Sequence, residues 1–503
     1  MSSGEEERDV FIFLQQQNCC LRCCFRFIGW KAWRECYHNP ITLAKTLGYI
    51  TEDASIIDKV PCVACLGILQ DQTLDLVIQK IQTEVEKQNY DSDTFSCALT
   101  IPTCVSLRER ILHAKWIDKF SLIKDELHQL KRKLETIKDI WKAVVTPKLE
   151  KAVNKKVDLI TPSAFLIEII LSYKENDKEC EALENLCVGA NNTGKKRKRR
   201  NNDNRFSRKS VEALITNVTE EEFNKFVRSF SLNVSTSIDI GNIACSHSSI
   251  FIGGRYNKLS REISQTPWFI NGEKKMETSV QDLLCNPIAD AVKAQSIKFL
   301  SSGREDVDVR TIYSGRPFAV ELINPRMTKI TDALLSNLIQ KINQSSKQVQ
   351  ITTNLKVLSR LDLKKLKKGE KVKTKIYRAI CICRTKPEDM LSLEKLNNMK
   401  RIEIIQKTPI RVLHRRPLSP RIRVIYEMRA RWMKPQESQA LLTTASEDPS
   451  MFFVLDIKTQ AGTYVKEFVH GDFGRTKPSL CDILKAEVDI VALDVTGINL
   501  DWP

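Results

Sequence analysis

Residues 303–326 read GREDVDVRTIYSGRPFAVELINPR. Three acids, Glu305, Asp306 and Asp308, stand between Arg304 and Arg310. Gly315 and Pro317 then mark a turn. Beyond it Phe318, Val320 and Leu322 alternate with Ala319, Glu321 and Ile323, the period of a strand with one face in a core. A charged turn joined to a buried strand can hold a carboxylate in one place, and each neighbouring guanidinium favours its ionised form. Such an anion can act as a nucleophile or stabilise a developing cation. A plainer reading is a solvated cluster of exchangeable salt bridges, which contribute little. The segment alone favours the plainer reading; residues further along the chain reverse that.

The 503 residues exceed what one core holds and predict roughly two to four domains. Hydrophobic residues make up 42% and charged residues 28%, an ordinary soluble globular composition. The charge balance is less ordinary: 79 basic against 62 acidic side chains gives +17, with an isoelectric point near 9.1. A surface that positive suits a polyphosphate partner. The most apolar stretch, AFLIEIIL at 164–171, is too short for a membrane span and carries Glu168. The acidic start, MSSGEEERDV, is unlike a signal or transit peptide. No membrane partner is therefore expected, and the chain is placed in the nucleus and cytoplasm. Sixteen cysteines there imply thiols and metal ligation rather than disulfides.

The cysteines cluster in NCCLRCC (18–24) and PCVACLG (61–67). Two C-x-x-C pairs, Cys20/Cys23 and Cys62/Cys65, have the spacing by which a tight turn aims two sulfurs at one tetrahedral ion. Cys19 and Cys24 leave the first register ambiguous. Four thiolates leave no open position, so the expected zinc is structural. From Ser121 to Trp141, Leu127, Leu130, Leu134, Ile137 and Trp141 recur at helical steps, and Pro147 is expected to end that helix. KKRKRR at 195–200, among Asn and Gly, reads as a basic linker and nuclear import signal.

Three further basic stretches follow. Residues 250–268 carry Arg255, Tyr256, Lys258 and Arg261 near Trp268, a mixture suited to phosphate contact and base stacking. Residues 356–375 hold nine lysines and arginines and read as a mobile arm leading to Tyr377. Residues 407–424 carry Arg411, Arg415, Arg416, Arg421 and Arg423, the last two on one face of a strand. With Arg310, these residues are the candidates for tracking a phosphate backbone.

KTQAGTYVKEFVHGDFGRTKPSL (458–480) reverses the plainer reading of the acidic turn. Its G-T-Y-V-K and D-F-G resemble a segment of RNA pseudouridine synthases. Together with GREDVDVR, GRYNKLSR, QTPW, KTPIRVLHRRP and GDFGRTKP, the chain resembles the archaeal and eukaryotic Pus-ten family of tRNA pseudouridine synthases, densely from about residue 240 onward. The resemblance implies an α+β fold. Residues 210–503 would form a pseudouridine-synthase-type mixed, largely antiparallel sheet with a central cleft. Residues 1–190 would form a zinc-binding, THUMP-like α/β accessory domain, joined by a linker at 191–209.

It also implies isomerisation of T-arm loop uridines in tRNA, with other structured RNAs as further candidates, by a monomer using no organic cofactor. Asp306 takes the place of the catalytic aspartate, with Asp308 as the alternative register. Arg304 would help hold the flipped nucleotide, Tyr377 would stack on the base, and Lys466 would partner the aspartate. Leu480 or Leu484 would pack the uracil. The rival reading is a non-catalytic nuclear RNA-binding adaptor with a structural zinc site.

Overall fold

The computed structural model describes the chain apart from residues 1–2, 30–36, 52–59, 121–133, 159–160, 191–205, 235, 373, 385–391, 440–447 and 449–450. The basic run 195–200 lies outside the described residues. The chain divides into two units, Met1–His247 and Ser248–Pro503.

The first unit sets helices around a four-stranded sheet. Its strands are β1 (Thr94–Thr100), β2 (Lys156–Val157), β3 (Phe165–Ser172) and β4 (Asp239–His247). β1 pairs in parallel with β2 and β3, and β4 closes the edge of β3 antiparallel. β3 is the apolar stretch noted above: Phe165, Ile167, Ile169 and Leu171 face the core while Glu168 and Ile170 face out.

The sequence placed the second domain from residue 210, whereas β4 and the helices Arg208–Asn217 and Glu220–Ser229 belong to the first unit. The cause is visible in the packing: Val211, Phe223 and Val227 are buried in the first unit's core, and β4 satisfies the hydrogen-bonding edge of β3. The expected helix over 121–141 also changes. Residues 121–133 lie outside the described residues, and the helix runs Ile137–Val153, capped by the Thr136 hydroxyl. Pro147 sits inside it rather than ending it. Its ring forfeits one backbone bond, but the turn beyond it buries Leu149 and Val153, which favours continuing the helix.

The second unit is built on one eleven-stranded sheet. In chain order its strands are β5 (Ile250–Lys258), β8 (Ser296–Ser301), β9 (Val309–Ile323), β10 (Val349–Ile351), β11 (Lys356–Leu358), β12 (Thr374–Cys383), β13 (Lys400–Gln406), β14 (Arg421–Trp432), β15 (Phe452–Gln460), β16 (Thr476–Lys477) and β17 (Val488–Ile498). A separate hairpin, β6 (Phe269–Ile270) with β7 (Glu273–Lys274), interrupts the numbering. The main path is β10-β5-β9-β17-β12-β15-β14-β13-β16, with β11 beside β5 and β8 beside β9. Every pairing in it is antiparallel except β9 with β17. The last strand thus sits mid-sheet, between the strand that follows the acidic turn and the strand that carries Tyr377. The α+β class and the mixed, largely antiparallel sheet match the sequence expectation.

The basic stretch 356–375 is not a loose arm. It forms β11, a helix from Arg360 to Val372 and the start of β12. Its amphipathic pattern explains this: Leu366 is buried with Phe251, Leu358 and Trp502, while Lys364, Lys365 and Lys367 face solvent.

Candidate active site and cysteine cluster

The acidic turn is held by its neighbours. Gly303 has φ of +90°, and a Cβ there would lie 3.0 Å from Lys375 Nζ and 3.1 Å from Arg316 Nη1, so only glycine fits without displacement. Glu305, 4% exposed, turns inward to pair with the buried Arg316 at 2.6 Å. It also accepts hydrogen bonds from the Tyr256 hydroxyl (2.7 Å) and Gln265 Nε2 (3.1 Å). Gln265 donates further to the Gly303 carbonyl, and Arg316 Nη1 to that of Ser302. Burial works against the Arg316 charge, but Glu305 and the nearby phenols more than compensate and raise its pKa.

Lys258 secures the other side. It is fully buried and donates to the carbonyls of Asp306 (3.1 Å), Val307 and Val309 (2.8 Å). Burial brings its pKa down to about 8, opposed by Glu305 and Asp308. Three donors meeting three backbone acceptors fix the path of the turn on which Asp306 stands.

Asp306 faces outward into a cleft of about 980 Å³. Arg304, Tyr377 and Lys466 line the same cleft, so the four predicted catalytic residues come together. The pairings differ from expectation. Asp306 Oδ2 lies 2.8 Å from Arg411 Nη1 and 3.9 Å from Lys466 Nζ. Lys466 sits closer to Asp308, at 2.5 Å; burial works against the Asp308 charge, but Lys466, a backbone hydrogen bond and Lys258 together hold its carboxyl below its usual range. Asp308 is not among the residues lining the cleft, which favours Asp306 as the register. Arg304 is exposed, and the guanidinium on Asp306 belongs to Arg411. Arg411 in turn pairs with the buried Glu467 at 2.6 Å, and Glu467 Oε2 has no hydrogen-bond partner among the described residues. The Glu467 anchor, which G-T-Y-V-K-E carries one residue past Lys466, escaped the sequence reading.

Tyr377, on β12 opposite Ile457 and Val495, is 8% exposed. Burial, and more weakly Asp306, push its phenol up to about 12, while Arg316 pulls it down. At neutral pH it is protonated, so its ring and hydroxyl are neutral. Tyr464 is fixed by Gln406, whose amide donates to the Tyr464 carbonyl and accepts from its N–H, both at 2.9 Å. Apolar walls come from Val309, Val412, Val465, Leu493 and Val495. Leu480 and Leu484 are buried in the same core as Phe468 and do not line the cleft, so neither is placed to pack a uracil there as the sequence reading expected.

The RNA-binding candidates divide. Arg411, Arg416, Arg421 and Arg423 line the cleft. The backbone of Arg415 lies in the 3-10 turn Ile410–Arg415, and its side chain is outside the described residues. Four others have structural partners instead. Arg255 donates to the carbonyls of Gly315, Leu500 and Trp502. Tyr256 and Lys258 are fully buried in the network above. Arg310 makes a two-pronged pair with Asp494 at 2.9 and 2.6 Å. In each case partners distant in sequence claim the residue, which local composition does not reveal.

In the first unit, Cys20, Cys23, Cys62 and Cys65 are all buried, with sulfurs within 4.8 Å of one another. Cys20 Sγ and Cys65 Sγ are 3.8 Å apart, close to the roughly 3.8 Å edge of a tetrahedron with Zn–S bonds of about 2.3 Å. Backbone N–H groups of Cys20 and Leu69 donate to the sulfurs of Cys62 and Cys65, as suits thiolate ligands. Cys19 and Cys24 stand outside the group, which resolves the register the sequence left open.

Comparison with known proteins gives the second line of observation. The family model described as Pus10, C-terminal, matches residues 251–499, and that described as Eukaryotic Pus10, N-terminal, matches residues 62–245. The tRNA pseudouridine synthase Pus10 of Homo sapiens is 36% identical over 450 residues, covering 88% of this chain and 79% of that protein. The chain belongs to the Pus10 family of tRNA pseudouridine synthases. The putative Pus10 of Drosophila melanogaster is 34% identical, covering 88% of this chain and 84% of that protein. The tRNA pseudouridine synthase Pus10 of Thermofilum pendens is 34% identical over 296 residues, 58% of this chain and 61% of that protein. A solved Cbf5-Nop10-Gar1 complex overlays 48% of this chain and 49% of that one at 12% identity and a TM-score of 0.26, too loosely to add to the fold assignment.

Proposed function

We propose that the second unit converts uridine to pseudouridine in the T-arm loop of tRNA, with Asp306 as the catalytic carboxylate. The observation that carries this reading is the convergence of Asp306, Arg411, Lys466 and Tyr377 on one cleft. The reaction breaks the C1′–N1 bond, turns the detached uracil, and forms a C1′–C5 bond. One proton leaves C5 and one is gained at N1, so the sum is an isomerisation with no redox partner and no organic cofactor. Positive charge develops on the ribose as C1′–N1 breaks. The Asp306 carboxylate, paired with Arg411 and near Lys466, serves there either by attacking C1′ or by assisting a glycal intermediate.

Tyr377 forms one wall of the base pocket. Because its phenol is protonated at neutral pH, any proton it accepts must be matched by one it gives up. Val309, Leu493 and Val495 retain the free uracil against diffusion. A T-loop uridine must be turned out of its fold at a cost of a few kcal/mol. Arg416, Arg421 and Arg423 offset that cost through phosphate contacts, and Arg304, exposed at the rim, steadies the extruded nucleotide. The first unit acts as a THUMP-like RNA-docking module braced by zinc on Cys20, Cys23, Cys62 and Cys65. The protein works as a monomer in nucleus and cytoplasm.

Tritium release from C5-labelled uridine in a tRNA transcript tests the reading. Asp306→Asn should lower release by about 1,000-fold while tRNA binding stays within about twofold, since a half-exposed ion pair contributes little to affinity. A wild-type protein that binds tRNA but releases no tritium would favour the adaptor reading instead.

A further inference from the structure

Outside the cleft, the segment GDFG (471–474) has a conformation that the chemistry above does not use. Phe473 is 94% exposed, more than any other large hydrophobic residue described. Its φ is +54°, between Asp472 at +48° and Gly474 at +79°. A bulky side chain is rarely found in the left-handed region, and strain of this kind persists only where the surroundings enforce it. They do so here. Buried Asp472 receives the Ile410 N–H (3.3 Å) on its carboxylate, and its own N–H donates to His470 Nδ1 (3.1 Å). Arg475 donates twice to the Thr408 carbonyl, at 3.1 and 2.6 Å.

Thr408 is also tied, through its hydroxyl, to the Pro417 carbonyl at 2.6 Å. The next residue, Leu418, is 76% exposed. Two apolar side chains are therefore presented to solvent from segments anchored on one threonine. Lys407, Arg416 and Lys477 are exposed on the same two segments and the adjoining strand. The short helix Val465–His470 links this tip to the cleft: Lys466 lies near its start and Gly471 caps its end. At about 1.5 Å per residue that helix is roughly 9 Å long, the span of about three stacked nucleotides at 3.4 Å each.

We propose that Phe473 is a rigid stacking platform for an unpaired base of the RNA, a few nucleotides from the one entering the cleft, flanked by Leu418. This rests on the reading that the second unit acts on RNA. An aromatic face accepts any base, the exposed cations match a phosphate backbone, and the tethered loop fixes the backbone from which the ring projects.

The test uses the full-length protein and an unmodified tRNA transcript, reading equilibrium binding, its salt dependence and thermal unfolding. Phe473→Ala should weaken binding by about 5- to 100-fold and leave the slope of log affinity against log salt unchanged. Lys477→Ala should lower that slope by about one. Phe473→Trp should bind like wild type. Phe473→Gly should bind as poorly as Phe473→Ala yet melt at a higher temperature than wild type, because glycine relieves the positive φ. Wild-type affinity in Phe473→Ala would overturn the proposal and leave the ring to a protein contact. An equal loss in Phe473→Trp would also overturn it. Binding does not require turnover, so failure of the catalytic reading would show separately, as absent tritium release with these binding differences intact.

Discussion

At the cysteine cluster every thiol is sealed: Cys20 is 3% exposed and Cys23, Cys62 and Cys65 are 0%. At the cleft, Asp306 keeps 38% of its side chain accessible and Lys466 20%. The contrast recurs between neighbours in sequence, since Glu305 is closed over by Arg316, Tyr256 and Gln265 while Asp306 opens outward. A sealed polar group has only the protein to satisfy it, so its removal is felt in folding. An open one is satisfied by solvent until substrate arrives, so its removal is felt in chemistry. Substitutions on each side of that divide should separate stability from turnover.

The largest stability loss is expected at the cysteines. Cys20→Ser or Cys62→Ser should abolish stoichiometric zinc by metal analysis and destabilise the first unit by several kcal/mol. Catalysis on a T-arm fragment already bound in the cleft should change far less. A protein purified without chelators that carries no zinc would break the contrast on this side. Next comes Glu305→Ala, which strands the buried Arg316 charge and should cost about 3–5 kcal/mol in urea unfolding, although Glu305 adjoins Asp306.

Lys258 sharpens the divide, because it is sealed yet holds the turn on which Asp306 stands. Its folded pKa is about 8 against an ordinary 10.5. Between those values the unfolded chain binds a proton that the folded chain does not, so stability should rise with pH across that window. Tritium release should fall over the same window, because a neutral amine has one donor fewer for the three carbonyls. Lys258→Met should flatten the stability slope and lower release by about tenfold or more. The smallest effect is expected at Arg304: Arg304→Ala should change release by less than about twofold, whereas Arg411→Ala, at the direct partner of Asp306, should lower it by about tenfold.

Much of this was legible beforehand where the signal is local. C-x-x-C spacing pointed to Cys20, Cys23, Cys62 and Cys65, and the ordered motifs brought Asp306, Tyr377 and Lys466 to one place. What escaped depends on tertiary partners. Lys258 and Tyr256 read as surface groups until the partners on the 303–309 turn are known, and Arg411 read as a phosphate contact until its approach to Asp306 and Glu467 is seen. Pro147 read as a stop because the burial of Leu149 beyond it is a property of the core and not of the helix.

The parallel seat of β17 between β9 and β12 carries a consequence for biosynthesis. As the polypeptide leaves the ribosome, the turn bearing Asp306 and the strand bearing Tyr377 are made long before the piece that joins them. Until residues near 498 emerge, the nascent domain is two half-sheets with unsatisfied edges, open to aggregation and attractive to chaperones. Competence to modify RNA would then switch on only once that keystone has been inserted.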